Sequence, residues 1–351
     1  MPLFQSSLLR PRPGVLIVLG TSVLGGAAYR FAKPSSTPEG SLNPHTFTGY
    51  ALISKQYVSP TSAIFTLRDH DGASDLESVK EVWKRSVWSV QVKQPQLQIA
   101  RAYTPLPATE RRRKDNTVAP DDIQLLIRQE DRGEVSTYLH RLPQQATIEV
   151  RGPNVECELP HDIKEVIFLA GGTGIAPAMQ VASALARRTD SRMDILWANR
   201  RRSECAGGVS DDKNIQSDKK QRLGLWQSFW GPADEGTEEQ PIDSYSGQTK
   251  GILVLELEAL KERSKAHAKG LSVQYYVDEE NTFIQPGDIV KRLKPNSQED
   301  QGSRVILVSG PVGFIEHYAG KKVWVGGQET QGPLGGVLGQ MDLKGWTVVK
   351  L

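Results

Sequence analysis

A chain of 351 residues is longer than one hydrophobic core usually serves, so two domains are expected. Its 43 basic and 41 acidic residues leave a formal net charge of +2, which argues against nucleic acid as a partner, because such a surface needs a basic excess. Cys157 and Cys205 are far apart and lack any Cys/His spacing for zinc, an iron–sulfur cluster or covalent haem; they read as unrelated thiols, and redox chemistry would need an organic cofactor.

Residues 1–38 contain Arg10, Arg12, Arg30 and Lys33 but no acid, the first being Glu39. A basic, acid-free start suits import into mitochondria. Within it, Gly14 to Tyr29 is an uncharged stretch of 16 residues between arginines. A straight membrane-spanning helix needs roughly 20, and Phe31 and Ala32 extend the stretch if Arg30 snorkels. A single span in contact with membrane lipid is the favoured reading; a bacterial-type signal peptide and a cleaved presequence are its competitors. Pro34 to Pro44, rich in Ser, Thr, Pro and Gly, reads as a stalk, with residues 39–46 as the linker to the globular part.

Residues 47–160 read as antiparallel β. Short runs at Ala51–Val58, Ala63–Arg68, Val87–Lys93, Leu97–Thr104, Ile123–Arg128 and Thr147–Arg151 are separated by turn residues, which suggests a six-stranded barrel with one late helix at Glu134–Leu142. In Arg101-Ala-Tyr-Thr-Pro105, strand alternation puts Arg101 and Tyr103 on one face and Thr104 on the other. A guanidinium suits a phosphate, a tyrosine ring suits a flat heterocycle, and Pro105 ends strand pairing. Downstream, Gly133-Glu-Val135-Ser136 opens the helix, where free N–H groups and a hydroxyl suit a pyrophosphate; an ordinary helix cap is the alternative.

Residues 161–351 read as parallel α/β. The apolar run Glu165–Ala170 leads into Gly171-Gly172-Thr173-Gly174-Ile-Ala-Pro177 and a helix to about Arg188, a strand, glycine turn and helix of a nucleotide-binding unit. Further parallel strands are expected at Met193–Ala198, Leu271–Val277 and Arg304–Ser309, with a helix near Leu255–Lys265. The last strand runs into Gly310-Pro311, and ligands of open parallel sheets bind at such carboxyl ends.

In this order, RxYTP at 101–105, GxxS at 133–136, RGP at 151–153, GGTGxxP at 171–177 and GP at 310–311 resemble the ferredoxin reductase-type superfamily, most closely its NADH–cytochrome b5 reductase branch. The resemblance covers about residues 45–351 and implies an FAD-binding barrel followed by a parallel-sheet NAD(P)-binding domain. It implies that Arg101 holds an FAD phosphate, that Tyr103 and Pro105 border the flavin, and that Gly133, Val135 and Ser136 hold the pyrophosphate. Gly172, Thr173, Gly174, Gly310 and Pro311 would shape the pocket for NADH or NADPH. Thr104 and Thr173 would lie nearest the reacting atoms, and hydride transfer between stacked cofactors needs no acid–base residue.

Two departures from the family pattern stand out. Ser309 occupies a position usually held by cysteine, and Arg200, Arg201 and Arg202 follow the second parallel strand, where they either pair with a 2′-phosphate or form a solvated loop. Residues 203–248 form a polar insertion containing the aromatic run Leu223–Trp230, expected to pack on its own domain or, less favoured, to dock a partner. With the glycine-rich end 326–345 and the N-terminus, the insertion makes the chain similar to the fungal mitochondrial cytochrome c import factor family. That similarity implies an inner-membrane flavoprotein facing the intermembrane space, with a haem or haem protein as acceptor and with cytochrome c and its haem lyase as partners. The alternatives are an outer-membrane reductase of cytochrome b5 and a flavin-stabilised assembly factor with little turnover.

Overall fold

The computed structural model describes residues 42–70, 76–107, 119, 121–188, 190–212, 249–267, 270–293 and 302–351. The 1–38 segment and the Leu223–Trp230 run lie outside them; among the described residues no helix is long and apolar enough to cross a membrane.

The first half comprises β1 (Thr48–Ser59), β2 (Ser62–Asp69), α1 (Leu76–Arg85), β3 (Ser86–Gln94), β4 (Ile99–Tyr103), β5 (Ile123–Arg128), α2 (Glu134–Arg141) and β6 (Thr147–Glu158). The six strands form one antiparallel sheet in the order β4-β3-β6-β1-β2-β5. Side chains of Ala63, Phe65 and Leu67, of Trp88, Val90 and Val92, and of Leu125 and Ile127 fill one core, joined by Val135 and Leu139 from α2. The sheet curls until its outer strands meet: Pro105 bridges Leu125, and the Leu106 N–H donates to the Gln124 carbonyl at 2.8 Å. Helix α1 was not anticipated from sequence, although Val79, Val82 and Trp83 recur at helical spacing. They pack onto the barrel core, with Trp83 meeting Trp88 edge-on at 5.0 Å.

The second half comprises β7 (Ile163–Gly171), α3 (Ile175–Leu185), β8 (Arg192–Asn199), α4 (Ile252–His267), β9 (Gly270–Val277), α5 (Pro286–Leu293), β10 (Ser303–Ser309), α6 (Val312–Ala319), the hairpin β11 (Val323–Val325) and β12 (Gln328–Thr330), and β13 (Trp346–Lys350). Its main sheet is parallel, in the order β13-β10-β7-β8-β9. On β7, Val166, Phe168 and Ala170 face α3 and α4, whereas Ile167 and Leu169 face α5 and α6. Both faces are covered, which is why this strand reads as an unbroken apolar run. Helix α6 and strand β13 are not evident in the sequence, because short elements flanked by glycine are stabilised by docking on the sheet rather than by local pattern, whereas α5, also not expected, is amphipathic and buries Ile289.

The halves share a core. Ile64, Val87, Leu106, Leu126 and Leu159 point out of the barrel into the same cluster as Phe168, Met179, Val181 and Trp197. β2 and β5 therefore bury both faces, one inside the barrel and one across the seam. Phe65 is fully buried in the barrel, so Phe65→Ala is expected to destabilise the protein by about 3–5 kcal/mol in urea unfolding.

Candidate functional site

Strand β7 ends at Gly171 and passes through Gly172-Thr173-Gly174 into α3. Its parallel neighbour β10 ends with Ser309 opposite Ala170, then turns at Gly310-Pro311 into α6. The two turns touch. A Cβ on Gly174 would lie 2.2 Å from the Ser309 carbonyl oxygen, and one on Gly310 would lie 3.1 Å from the Gly171 Cα. Gly172 has φ +53°, a left-handed conformation that L side chains adopt at a cost. Its carbonyl accepts a 2.9 Å hydrogen bond from Trp197 Nε1, so β8 braces the turn from the other side. Thr173, half-buried, stands between these fixed glycines. The carboxyl edge thus presents two adjoining turns, as sites in open parallel sheets require.

On the barrel, Arg101 lies opposite Val92 and Tyr103 opposite Val90. Arg101 is exposed, and its Nη1 donates to the Ala100 carbonyl at 3.0 Å. Tyr103 is half-buried and packs against the barrel core, as do Tyr138 and Leu142. Burial pushes its phenol up to about 12; Arg101 opposes that shift and Glu130 adds to it, so the hydroxyl is neutral at physiological pH. Thr104 is half-buried and Pro105 fully so.

At the start of α2, no side chain caps the Gly133 end. The Ser136 hydroxyl accepts from the Glu130 N–H at 3.1 Å and donates to the Gly133 carbonyl at 3.2 Å, while Val135 points into the core. Ser136 therefore braces the loop that leads into α2. A cleft of about 460 Å³ opens beside it, lined by Gln94, Leu97, Arg132, Gly133, Tyr138 and Arg141 among others.

Several residues at the seam were missed by sequence reasoning. Arg128, at the end of β5, pairs with Glu204 from the second half, both nearly buried, and its guanidinium lies 3.7–3.8 Å from where a Cβ on Gly172 would sit. Gln180 of α3 bonds to Trp88 and Pro105 of the barrel. The available signal was a single amide within the otherwise apolar stretch Ile175–Ala182.

The three arginines after β8 do not act together. Arg202 is held by both Glu280 oxygens, at 2.6 and 2.7 Å, and by the Gly208 carbonyl at 3.2 Å, whereas Arg200 and Arg201 are exposed. Of the trio considered for a 2′-phosphate, Arg202 is thus committed to a structural pair. Both cysteines are free thiols; burial raises Cys157 and pushes Cys205 up to about 12. Among the described residues no group of side chains could hold a metal ion.

Residues 50–159 match the oxidoreductase FAD-binding domain family, and residues 168–241 match the oxidoreductase NAD-binding domain family. The chain couples an FAD-binding oxidoreductase domain to an NAD-binding one. It is 27% identical to an uncharacterized FAD-binding protein of Schizosaccharomyces pombe, over 56% of this chain and 66% of that protein. It is 30% identical to the cytochrome c mitochondrial import factor of Saccharomyces cerevisiae, over 42% of each. With NADH–cytochrome b5 reductase 1 of Emericella nidulans it shares 25% identity over 74% of this chain and 84% of the relative. The chain thus spans less than two thirds of the length of the first two relatives.

Two outcomes are expected from this geometry. Gly174→Ala should cost about 2–4 kcal/mol in chemical unfolding, since the methyl group forces β7 and β10 apart. With the raised thiol values, a disulfide reagent at pH 8 should modify half-buried Cys157 slowly and leave Cys205 unmodified until the protein is denatured, as followed by mass spectrometry.

Proposed function

We propose that this chain is an NAD(P)H-dependent flavin oxidoreductase of the cytochrome b5 reductase type. The observation that carries this reading is the pair of glycine turns, Gly171–Gly174 and Gly310-Pro311, packed against each other in a domain that shares a buried core with the barrel bearing Arg101 and Tyr103. The residues fit both cofactors: close-packed glycines leave backbone exposed to a nucleotide, a neutral tyrosine ring offers a face to a heterocycle, and Arg101 keeps an exposed charge for a phosphate.

In this reading Arg101 holds a flavin phosphate, Tyr103 and Pro105 border the ring, and Thr104 lies near its reacting edge. Gly133, Val135 and Ser136 contribute the α2 end at the pyrophosphate, with the Arg132 and Arg141 cleft beside it. Gly172, Thr173, Gly174, Gly310 and Pro311 form the nicotinamide pocket. A flavin bound there supplies a two-electron acceptor for hydride and can release electrons singly to an acceptor. The chain's own task is orientation and exclusion of water. The assignment divides the protein into a barrel domain at 47–160 and a nucleotide domain at 161–351, preceded by an anchor and linker.

The acceptor is a haem or haem protein, and the location is the mitochondrion, at the inner membrane facing the intermembrane space, in support of haem attachment to cytochrome c. The similarity to the yeast import factor and the basic, acid-free N-terminus support this. The reductase relative supports cytochrome b5 at the outer membrane as the second reading. Ser309, in place of the cysteine usual at this turn, supports an assembly factor of low turnover.

Anaerobic mixing of the full-length yellow protein with NADH or NADPH should bleach its flavin band within the mixing experiment. A protein that cannot take up FAD overturns the reading, and one that stays yellow favours the assembly factor. Arg101→Ala should weaken FAD binding by about 1.5–3 kcal/mol, roughly 10- to 150-fold in Kd by flavin-fluorescence titration.

A further inference from the structure

Helix α3 is buried along its whole length, yet it carries an amide at the seam. Gln180 is 1% exposed. Its Oε1 accepts from the Trp88 N–H at 3.0 Å, and its Nε2 donates to the Trp88 carbonyl at 3.1 Å and to the Pro105 carbonyl at 2.9 Å. Strand β4 pairs with β3 only from Val90 onward, so at Trp88 the amide stands where a further strand would pair.

A buried amide costs free energy unless it is paired, and an apolar side chain would fill this space without that requirement. Apolar contact is non-directional, however, and does not by itself fix how α3 sits on the barrel. The amide does. It engages both backbone polar groups of one residue in β3, Trp88, and the carbonyl of the residue after Thr104. On its own helix it lies six residues beyond Gly174, about 9 Å along a rigid rod. The shared apolar cluster and the Arg128–Glu204 pair also cross the seam, so loss of the amide leaves the two halves attached.

We propose that Gln180 is a positioning residue: through Trp88 and Pro105 it fixes the separation and angle between the Gly171–Gly174 turn and the Tyr103–Pro105 segment, and with them the geometry of hydride transfer. This rests on the oxidoreductase reading above. A misplacement of 1 Å at such a centre costs on the order of 100-fold in rate.

The test uses the full chain loaded with FAD, as wild type, Gln180→Leu and Gln180→Glu. Flavin content should match wild type in both variants, and amide exchange at Trp88 should rise tenfold or more in Gln180→Leu, which removes the acceptor of the Trp88 N–H. In anaerobic rapid mixing with NADH, the limiting rate of flavin reduction should fall tenfold or more, while the half-saturating NADH concentration shifts less than threefold. The Gln180→Glu protein should regain rate as pH falls and its new carboxyl takes up a proton to donate, a rise absent from wild type.

A limiting rate in Gln180→Leu within twofold of wild type overturns the proposal, as does a change confined to half-saturation. If the leucine variant fails to fold, the glutamate variant decides: it keeps an acceptor for the Trp88 N–H but loses the donor to the Trp88 and Pro105 carbonyls, so a limiting rate within twofold of wild type, or a lowered rate without recovery at low pH, overturns the assignment. If neither NADH nor NADPH reduces the wild-type flavin, the oxidoreductase reading falls, and the clamp is judged on exchange alone, with unchanged protection at Trp88 in Gln180→Leu counting against it.

Discussion

The apolar cluster that runs from the barrel into the parallel sheet is the constraint on which the rest of this molecule depends. Ile64 of β2, Leu126 of β5 and Leu106 of the segment after β4 point away from the barrel core and join Phe168, Met179 and Trp197. Surface removed from water on both sides of this boundary makes separation of the halves expensive, because each would expose a face with no polar alternative. A site built from both halves is stable only because the boundary is a core rather than a hinge.

Polar groups are set into that boundary sparingly. The Arg128–Glu204 pair contributes little net stability, since both ions lose hydration, but breaking it from one side leaves a buried charge uncompensated. The Gln180 amide acts similarly: once paired it is close to neutral in stability, and it distinguishes one packing arrangement from its neighbours. Such groups trade stability for uniqueness of arrangement.

The glycine turns solve a different problem. Adjacent parallel strands lie close together, and the turns that leave them must pass each other closely. Gly174 lets the turn after β7 rest against the Ser309 carbonyl, and Gly172 adopts a backbone conformation costly for other residues, while Trp197 holds it there. The close approach of the two turns and their rigidity come from the same residues.

Much of this was legible in the chain itself. Six barrel strands and the strands β7 to β10 announced themselves through alternation or unbroken apolar runs, and GGTGxxP and RxYTP were recognisable by residue type and spacing. Those features are local, set by the pleat of a strand and the φ freedom of glycine. A short helix such as α6, and the final strand β13, form because they dock, so their sequences carried little independent signal. Partner choice was decided only in three dimensions: Arg202 spends its charge on Glu280, Arg128 crosses to Glu204, and Gln180 reaches a peptide 92 residues away. Hydrogen bonds and ion pairs depend on distance and direction, and neither exists in a sequence until the chain has closed on itself.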